Sequence, residues 1–272
     1  MGLAVTAQAG GHGASGDVDG VILLRTKALD SVTVWPDKRV ARVGAGAPWG
    51  KVLAEAGPHG LAGLAGSSPI VSVVGYTLGG GLSWFGRKYG WAADSVRAPE
   101  EGAEATRILD GIGGAIADER GPVAVADLGD ITSEPTDPGP GMGRAELLTG
   151  LDDATAETLL AAPIDPLVGV QVRHLGGALA EPGGGPTGPV AEPYLLYMLG
   201  LALNPQLAQA VRGKQAELTG ALGAVVSGRK PYTFLSPGEQ ATAAFPAETI
   251  ARLRAIRQAA NPHGVIRANY SV

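Results

Sequence analysis

Apolar positions along this chain follow two different rhythms. In the first third they come as short runs cut by glycine and proline. Leu3, Ala4 and Val5 lead into a glycine loop, Gly10-Gly11-His12-Gly13, and Val21-Ile22-Leu23-Leu24 reads as a buried strand. Val32-Thr33-Val34-Trp35 and Arg39-Val40-Ala41-Arg42-Val43 alternate around Pro36-Asp37-Lys38, which predicts a hairpin. A short helix is expected after Pro48, with Val52 and Leu53 turned inward.

From Pro99 the pattern lengthens. Pro99 suits the first position of a helix, with Glu100 and Glu101 in a first turn where the helix dipole favours acid. Residues 129–143 form a proline-rich, acidic connector. Leu167 to His174 alternates as a strand, and Tyr194 to Leu203 is a second, more apolar one, with a Glu181-to-Pro186 loop between them. Asn204 and Pro205 read as the cap and first residue of a helix carrying Leu207, Val211 and Leu218 on one face. A last helix holds Ile250, Leu253 and Ile256, gathers Arg252, Arg254 and Arg257 toward its end, and stops before Asn261-Pro262. No internal repeat is found.

The 272 residues suffice for one large domain or two modest ones. With 45% hydrophobic and 17% charged residues the chain is of the folded class. A net charge of −5 without any Lys/Arg run argues against a nucleic-acid surface. The cysteine count is zero, which removes disulfides, thiolate metal sites and cysteine nucleophiles and fits a reducing compartment. No apolar run would span a bilayer, and the N-terminus has no basic stretch followed by a hydrophobic one. The expectation is a cytoplasmic protein that binds no membrane.

Gly44-Ala45-Gly46-Ala47-Pro48-Trp49-Gly50 imitates a dinucleotide fingerprint, but its spacing is GxGxxxG and no acidic residue follows at the distance a ribose needs. A tight strand-to-helix turn accounts for it better. The run Gly79-Gly80-Gly81, entered through Gly75-Tyr76-Thr77-Leu78, is expected to leave backbone N–H groups uncovered for a diphosphate or a flat ring edge, or else to be a crowded bend. The histidines His12, His59, His174 and His263 have no metal-ligand spacing, so no metal site is expected. There is no GxSxG elbow around Ser67 and Ser68, and Asp17-Val18-Asp19-Gly20 is too short for a calcium loop.

In order, Gly10-Gly11-His12-Gly13-Ala14-Ser15-Gly16, Arg42 to Gly50, His59-Gly60-Leu61, Gly66-Ser67-Ser68-Pro69, Gly75 to Trp84, and Arg87-Lys88-Tyr89-Gly90-Trp91-Ala92-Ala93-Asp94 resemble one family. It is the para-cresol methylhydroxylase/vanillyl-alcohol oxidase superfamily of FAD-linked oxidoreductases, in its berberine bridge enzyme-like branch. Farther on, Arg173 to Ala178 resembles the strand that faces the flavin there, and Arg254-Ala255-Ile256-Arg257 with Asn261 to Asn269 resembles the closing helix and tail.

The resemblance implies an α+β fold: a partial FAD-binding domain over residues 1–98, a partial substrate domain with an antiparallel sheet and covering helices over 99–249, and a C-terminal helix and tail, 250–272, packing back on the first. It implies FAD as cofactor and oxidation of a small organic substrate by hydride transfer to the flavin, with dioxygen as reoxidant. His12 stands where the family forms a covalent histidyl bond to the flavin. Ser68 stands where bicovalent members carry a cysteine, so at most one bond is expected. Gly10, Gly11, His12, Gly13, Ser15, Ser68, Gly75, Gly79, Gly80, Gly81, Asp94 and Asn269 are the expected cofactor contacts. His174 and Tyr232 are the candidates for a base over the flavin; Lys230-Pro231-Tyr232-Thr233-Phe234 keeps only part of the family's text there.

Two departures stand out. A βαβ segment that usually precedes the Gly-Gly-His loop is not found, nor is a further part of the FAD domain, with its Gly-Gly-Gly-Asn-Phe-Gly-like loop, after Arg97. The chain therefore reads as truncated and internally deleted, which weakens the cofactor's walls and leaves sheet edges that favour a homo-oligomer. A catalytically impaired or non-enzymatic remnant of the same fold is the alternative reading.

Overall fold

The glycine-interrupted first third builds two small sheets rather than one. The computed structural model describes residues 4–94, 127, 139–161, 163–183 and 186–272. The helix expected from Pro99, residues 129–138 of the connector and Leu3 lie outside these. Strands β1 (Ala4–Gln8) and β2 (Val21–Arg25) pair in parallel, with Val5 opposite Ile22. Chain-terminal residues add a third row: the Val5 amide donates to the Val265 carbonyl at 2.6 Å, and the Arg267 amide to the Val5 carbonyl at 2.8 Å. The strand expected at Val21–Leu24 forms, but it is not buried, since Ile22 and Leu24 are 47% and 50% exposed. Among the described residues β2 pairs with β1 alone, so its outer edge stays open.

Strands β3 (Val32–Trp35) and β4 (Val40–Val43) make the predicted hairpin, closed by a single 3₁₀ turn over Pro36–Lys38. Beyond it, the glycines of the GxGxxxG stretch serve packing. A Cβ on Gly44 would lie 2.2 Å from the Leu29 carbonyl oxygen, and one on Gly46 would lie 2.0 Å from that of Thr26. The chain can run this close to residues 26–29 only without side chains there, which is the tight-turn reading. Helix α1 (Trp49–Ala56) follows, with Val52 and Leu53 buried. Helices α2 (Val73–Leu78) and α3 (Gly86–Tyr89) complete this part.

The second part is an antiparallel sheet of three strands, β5 (Gly141–Leu148), β6 (Leu167–His174) and β7 (Tyr194–Leu201), in the order β5-β7-β6. Strand β5 corrects the expected connector, whose last residues already belong to it. Its end, Ala145 to Leu148, is buried on both faces, the charged Glu146 included. Helix α4 (Asp153–Ala161) joins β5 to β6. Helix α5 (Pro205–Leu222) starts as expected, the Asn204 side chain accepting from the Leu207 amide at 2.8 Å.

Residues that face each other across the sheet share a side, and the two sides have different neighbours. Ala145, Leu147 and Leu195 pack against Leu82, Trp91, Leu175 and Leu179 of the glycine-rich part and the β6–β7 connection. Leu148, Leu196 and Met198 pack against Val211 and Leu218 of α5. The sheet is thus a partition between α5 and the site described below. Helix α6 (Ala247–Ala260) buries Ile250 in a cluster with Leu235, Phe245 and Tyr270. Ile256, expected on the same inward face, is 55% exposed, since among the described residues nothing covers the distal half of α6.

Candidate functional site

The loop after β1 is built to present backbone donors. Gly11, Gly13 and Gly16 take positive φ of 88°, 68° and 84°, open to glycine and strained for other residues. Among the described residues the amides of Gly10, Gly11, His12 and Gly13 have no hydrogen-bond partner. Successive unpaired N–H groups in alternating conformations form a concavity suited to an anion. The loop is held from below by Asn269, whose Oδ1 accepts from the Ser15 amide at 2.7 Å and whose Nδ2 donates to the Gly13 carbonyl at 3.0 Å. Two residues before it, Arg267 bonds the Asp19 carbonyl and pairs with Asp17 at 3.4 Å. A Cβ on Gly10 would lie 3.8 Å from the Ile70 carbonyl, so the Ser67-to-Ile70 segment borders the loop. His12 is exposed, and among the described residues its ring has no partner; Ser68 in that bordering segment is buried.

The tail that holds the loop also walls a cavity. Arg267 and Asn269 reach the loop, while the alternate residues Ala268, Tyr270 and Val272 line a cavity of about 220 Å³. Its other walls include Gly79, Gly80, Trp91, Asp94, Tyr232 and Phe245. Of the lining residues the sequence pointed to Gly79, Gly80, Asp94 and Tyr232 and not to Trp91, Phe245 and Tyr270, although Trp91 lies inside a matched motif and Tyr270 next to one. Tyr232 stacks on Phe245 at 5.2 Å and meets Tyr270 edge-on at 5.8 Å. Burial raises the Tyr232 phenol above its ordinary value. Tyr270 is pushed up to about 12, by burial first and then by the Glu239 carboxylate and Tyr232. Its hydroxyl donates to the Leu235 carbonyl at 2.6 Å. The indole Nε1 of Trp91 is buried with no partner among the described residues.

Of the two expectations for the glycine triplet, the geometry favours the crowded bend. The Gly79 amide donates to the Gly75 carbonyl at 3.2 Å and the Gly80 amide to the Thr77 carbonyl at 3.0 Å, so neither is uncovered. A Cβ on Gly81 would lie 2.5 Å from the Tyr76 ring and 2.9 Å from Ala92. The triplet is the crowded bend that lets α2 and the Trp91–Ala93 segment meet. Among the described residues the Gly81 amide has no partner, nor have those of Gly10–Gly13. Gly75 is exposed and does not line the cavity.

His174 is not brought to the cavity. The pairing of His174 with Tyr194 places it on the α5 side of the sheet, stacked on Tyr194 at 5.1 Å, opposite to the side carrying Leu195. Arg87 Nη1 lies 3.1 Å from its Nε2, and since a guanidinium only donates, that nitrogen accepts and its lone pair is engaged.

An ion cluster braces the loop that carries Tyr232. Lys230 sits between Glu146 of β5, at 3.2 Å, and Glu239; Arg144 also meets Glu146, at 2.7 Å. Glu239 accepts from the Ser236 amide at 2.9 Å, and the Ser236 hydroxyl donates to the Gly143 carbonyl at 2.7 Å. Among the described residues no group of acidic, histidine or cysteine side chains could hold a metal, and no helix is long and apolar enough to cross a membrane.

Residues 1–100 match the family described as FAD binding domain. A stretch of 92 residues is 42% identical to the FAD-dependent monooxygenase tpcD of Cochliobolus heterostrophus, covering 32% of this chain and 18% of that protein. A stretch of 97 residues is 34% identical to (R)-6-hydroxynicotine oxidase of Paenarthrobacter nicotinovorans, covering 35% and 21%. The matches thus span about a fifth of the length of these relatives. In fold, the chain is similar to 6-hydroxy-D-nicotine oxidase from Arthrobacter nicotinovorans, with a TM-score of 0.77 at 17% identity over 99% of this chain and 86% of that one. It is also similar to the Physcomitrella patens protein BBE-like 1, with a TM-score of 0.78 at 13% identity over 99% and 86%.

Proposed function

We propose that this chain, which belongs to the FAD-linked oxidoreductases of the para-cresol methylhydroxylase type in their berberine bridge enzyme-like branch, oxidises a small organic substrate by hydride transfer to FAD, with dioxygen as reoxidant. The observation that carries the reading is the Gly10–Gly13 loop, with four unpartnered amides fixed by Asn269 beside an aromatic cavity.

The residues present fit the cofactor. The amides of Gly10 to Gly13 would hold its diphosphate, and Ser15 keeps the loop in place through its bond to Asn269. The cavity, about 220 Å³, is smaller than a usual small-molecule pocket of roughly 300 Å³ or more, so it suits part of the cofactor or the reacting end of the substrate. Bound FAD would supply the hydride acceptor. His12, exposed in the same loop, is the side chain we assign to a single covalent attachment; the hydroxyl of Ser68 cannot stand in for a cysteine.

Tyr232 is our candidate for contact with the substrate. Burial keeps its phenol protonated at neutral pH, so it donates a hydrogen bond and orients the reacting group rather than removing a proton. His174, engaged with Arg87 on the other side of the sheet, is a poor base for this cavity. Asp94 is the one carboxylate among the cavity's lining residues. A division of the chain near residues 98 and 249 belongs to the same reading, supported by the tail's bonds to β1. Self-association is part of it too, supported by edge strand β6, whose Val168 and Val172 are exposed.

The test is anaerobic mixing of the FAD-loaded chain with panels of alcohols, sugars and amines. Bleaching of the flavin by one class, with colour returning in air, is the expected result. A loaded chain that no class reduces, yet dithionite does, would favour the non-enzymatic remnant.

A further inference from the structure

The lining of the aromatic cavity is one-sided in charge. Asp94 contributes a carboxylate, and among the lining residues there is no lysine, arginine or histidine. Asp94 is exposed, so a ligand can reach it, and among the described residues its side chain has neither a hydrogen bond nor an ion pair. A Cβ on Gly183 would lie 2.8 Å from its Oδ2, so the loop backbone passes beside the carboxylate, where a larger residue would crowd it. Lys230, two residues before Tyr232, is taken up by Glu146 and Glu239 and does not line the cavity.

Nothing else in the lining offsets that charge. Burial keeps the Tyr232 and Tyr270 phenols protonated at neutral pH, so both stay neutral. A substrate carrying a carboxylate or phosphate would meet Asp94 with no cation to balance it, and like charges brought together suppress binding. A sugar or a plain alcohol would gain nothing from the carboxylate's charge. A cation gains on both counts, since Asp94 attracts it and aromatic walls tolerate it better than aliphatic ones do. The diphosphate of the cofactor does not compete for this place, because the unpartnered amides that suit it belong to Gly10–Gly13.

We propose that the substrate taken here carries an ammonium group, which pairs with Asp94 while Tyr232 meets the group to be oxidised. This rests on the flavin reading and narrows its substrate class. The FAD-loaded chain is titrated calorimetrically with benzylamine, benzyl alcohol and benzoate, three probes of similar size that differ in charge. The ring fits, since an apolar cavity of roughly 150 Å³ accepts benzene. Benzylamine should bind about fivefold or more tighter than benzyl alcohol, with benzoate weakest and the amine's advantage shrinking as salt is raised. Asp94→Asn, with its flavin content checked by absorbance, should bring amine and alcohol level; Asp94→Ser serves if that variant loses the flavin. An unmodified chain that binds none of the three, or binds the alcohol or benzoate as well as the amine, would overturn the proposal. So would a flavin-loaded Asp94 variant that keeps the preference. Preferred binding of the amine by a chain whose flavin only dithionite bleaches supports the pairing with Asp94 and counts against hydride transfer instead.

Discussion

Asn269 joins two things that would otherwise be independent, the tail and the glycine loop, through bonds of 2.7 and 3.0 Å. Substituting Asn269→Leu removes both. Each such bond is worth about 1 kcal/mol net, so FAD affinity should fall by roughly tenfold or somewhat more, with the fold kept. Flavin fluorescence quenching on titration measures this; an unchanged affinity would mean that the loop holds its shape alone. The buried tyrosines give a second expectation. The unfolded chain ionises Tyr270 near 10 and the folded chain near about 12, with Tyr76 and Tyr232 raised in the same direction by burial. Alkali therefore favours the unfolded chain. This contribution to stability is whole below pH 10 and is lost between about 10 and 12, which denaturant midpoints across that range would reveal. At this scale the motifs were legible where chemistry is written in the residue type, as in His12 and the loop glycines. They misled where backbone geometry decides. The sequence cannot tell that the Gly79 and Gly80 amides are bonded inside a bend while those of Gly10–Gly13 are not.

The elements depend on a few glycines with ordinary φ but no room. Gly46→Ala would drive a methyl group to 2.0 Å from the Thr26 carbonyl, a clash with backbone, and should cost about 3 kcal/mol. Gly213→Ala is the opposite case: Gly213 lies inside α5 with nothing within 4 Å, so the substitution should stabilise by about 1 kcal/mol. Thermal or denaturant unfolding of the pair checks both signs. The hairpin, α1, β6 and the Asn204 cap were readable because turn chemistry, alternation and capping are local signals. Strand β5 was not, because its start is glycine-rich and follows directly on the proline-rich stretch. Gly143 must be glycine so that Tyr197 can cross it: a Cβ there would lie 2.7 Å from the tyrosine hydroxyl. That requirement comes from β7, some fifty residues away, and no local pattern announces it.

Across the molecule, the sheet, the tail and the Lys230 cluster together hold the cavity open toward the glycine-rich part. Lys230→Met would leave the Glu146 carboxylate, 2% exposed, with Arg144 as its remaining cation. Removing one member of a buried ion group costs about 3 kcal/mol, and the midpoint of unfolding should fall accordingly. The α+β arrangement and the family were legible from ordered motifs in the first hundred residues. The cavity walls were not, because Trp91, Phe245 and Tyr270 come from segments that meet only in the folded chain. Everything proposed for the cofactor depends on FAD being held at the Gly10–Gly13 loop with His12 beside it. Its most direct test is the visible absorbance of the full chain purified with FAD, before and after acid precipitation, alongside His12→Ala. The expected result is a flavin spectrum that stays with the precipitate in the unmodified chain and passes to the supernatant in His12→Ala. A colourless chain that takes up no added FAD would contradict the account.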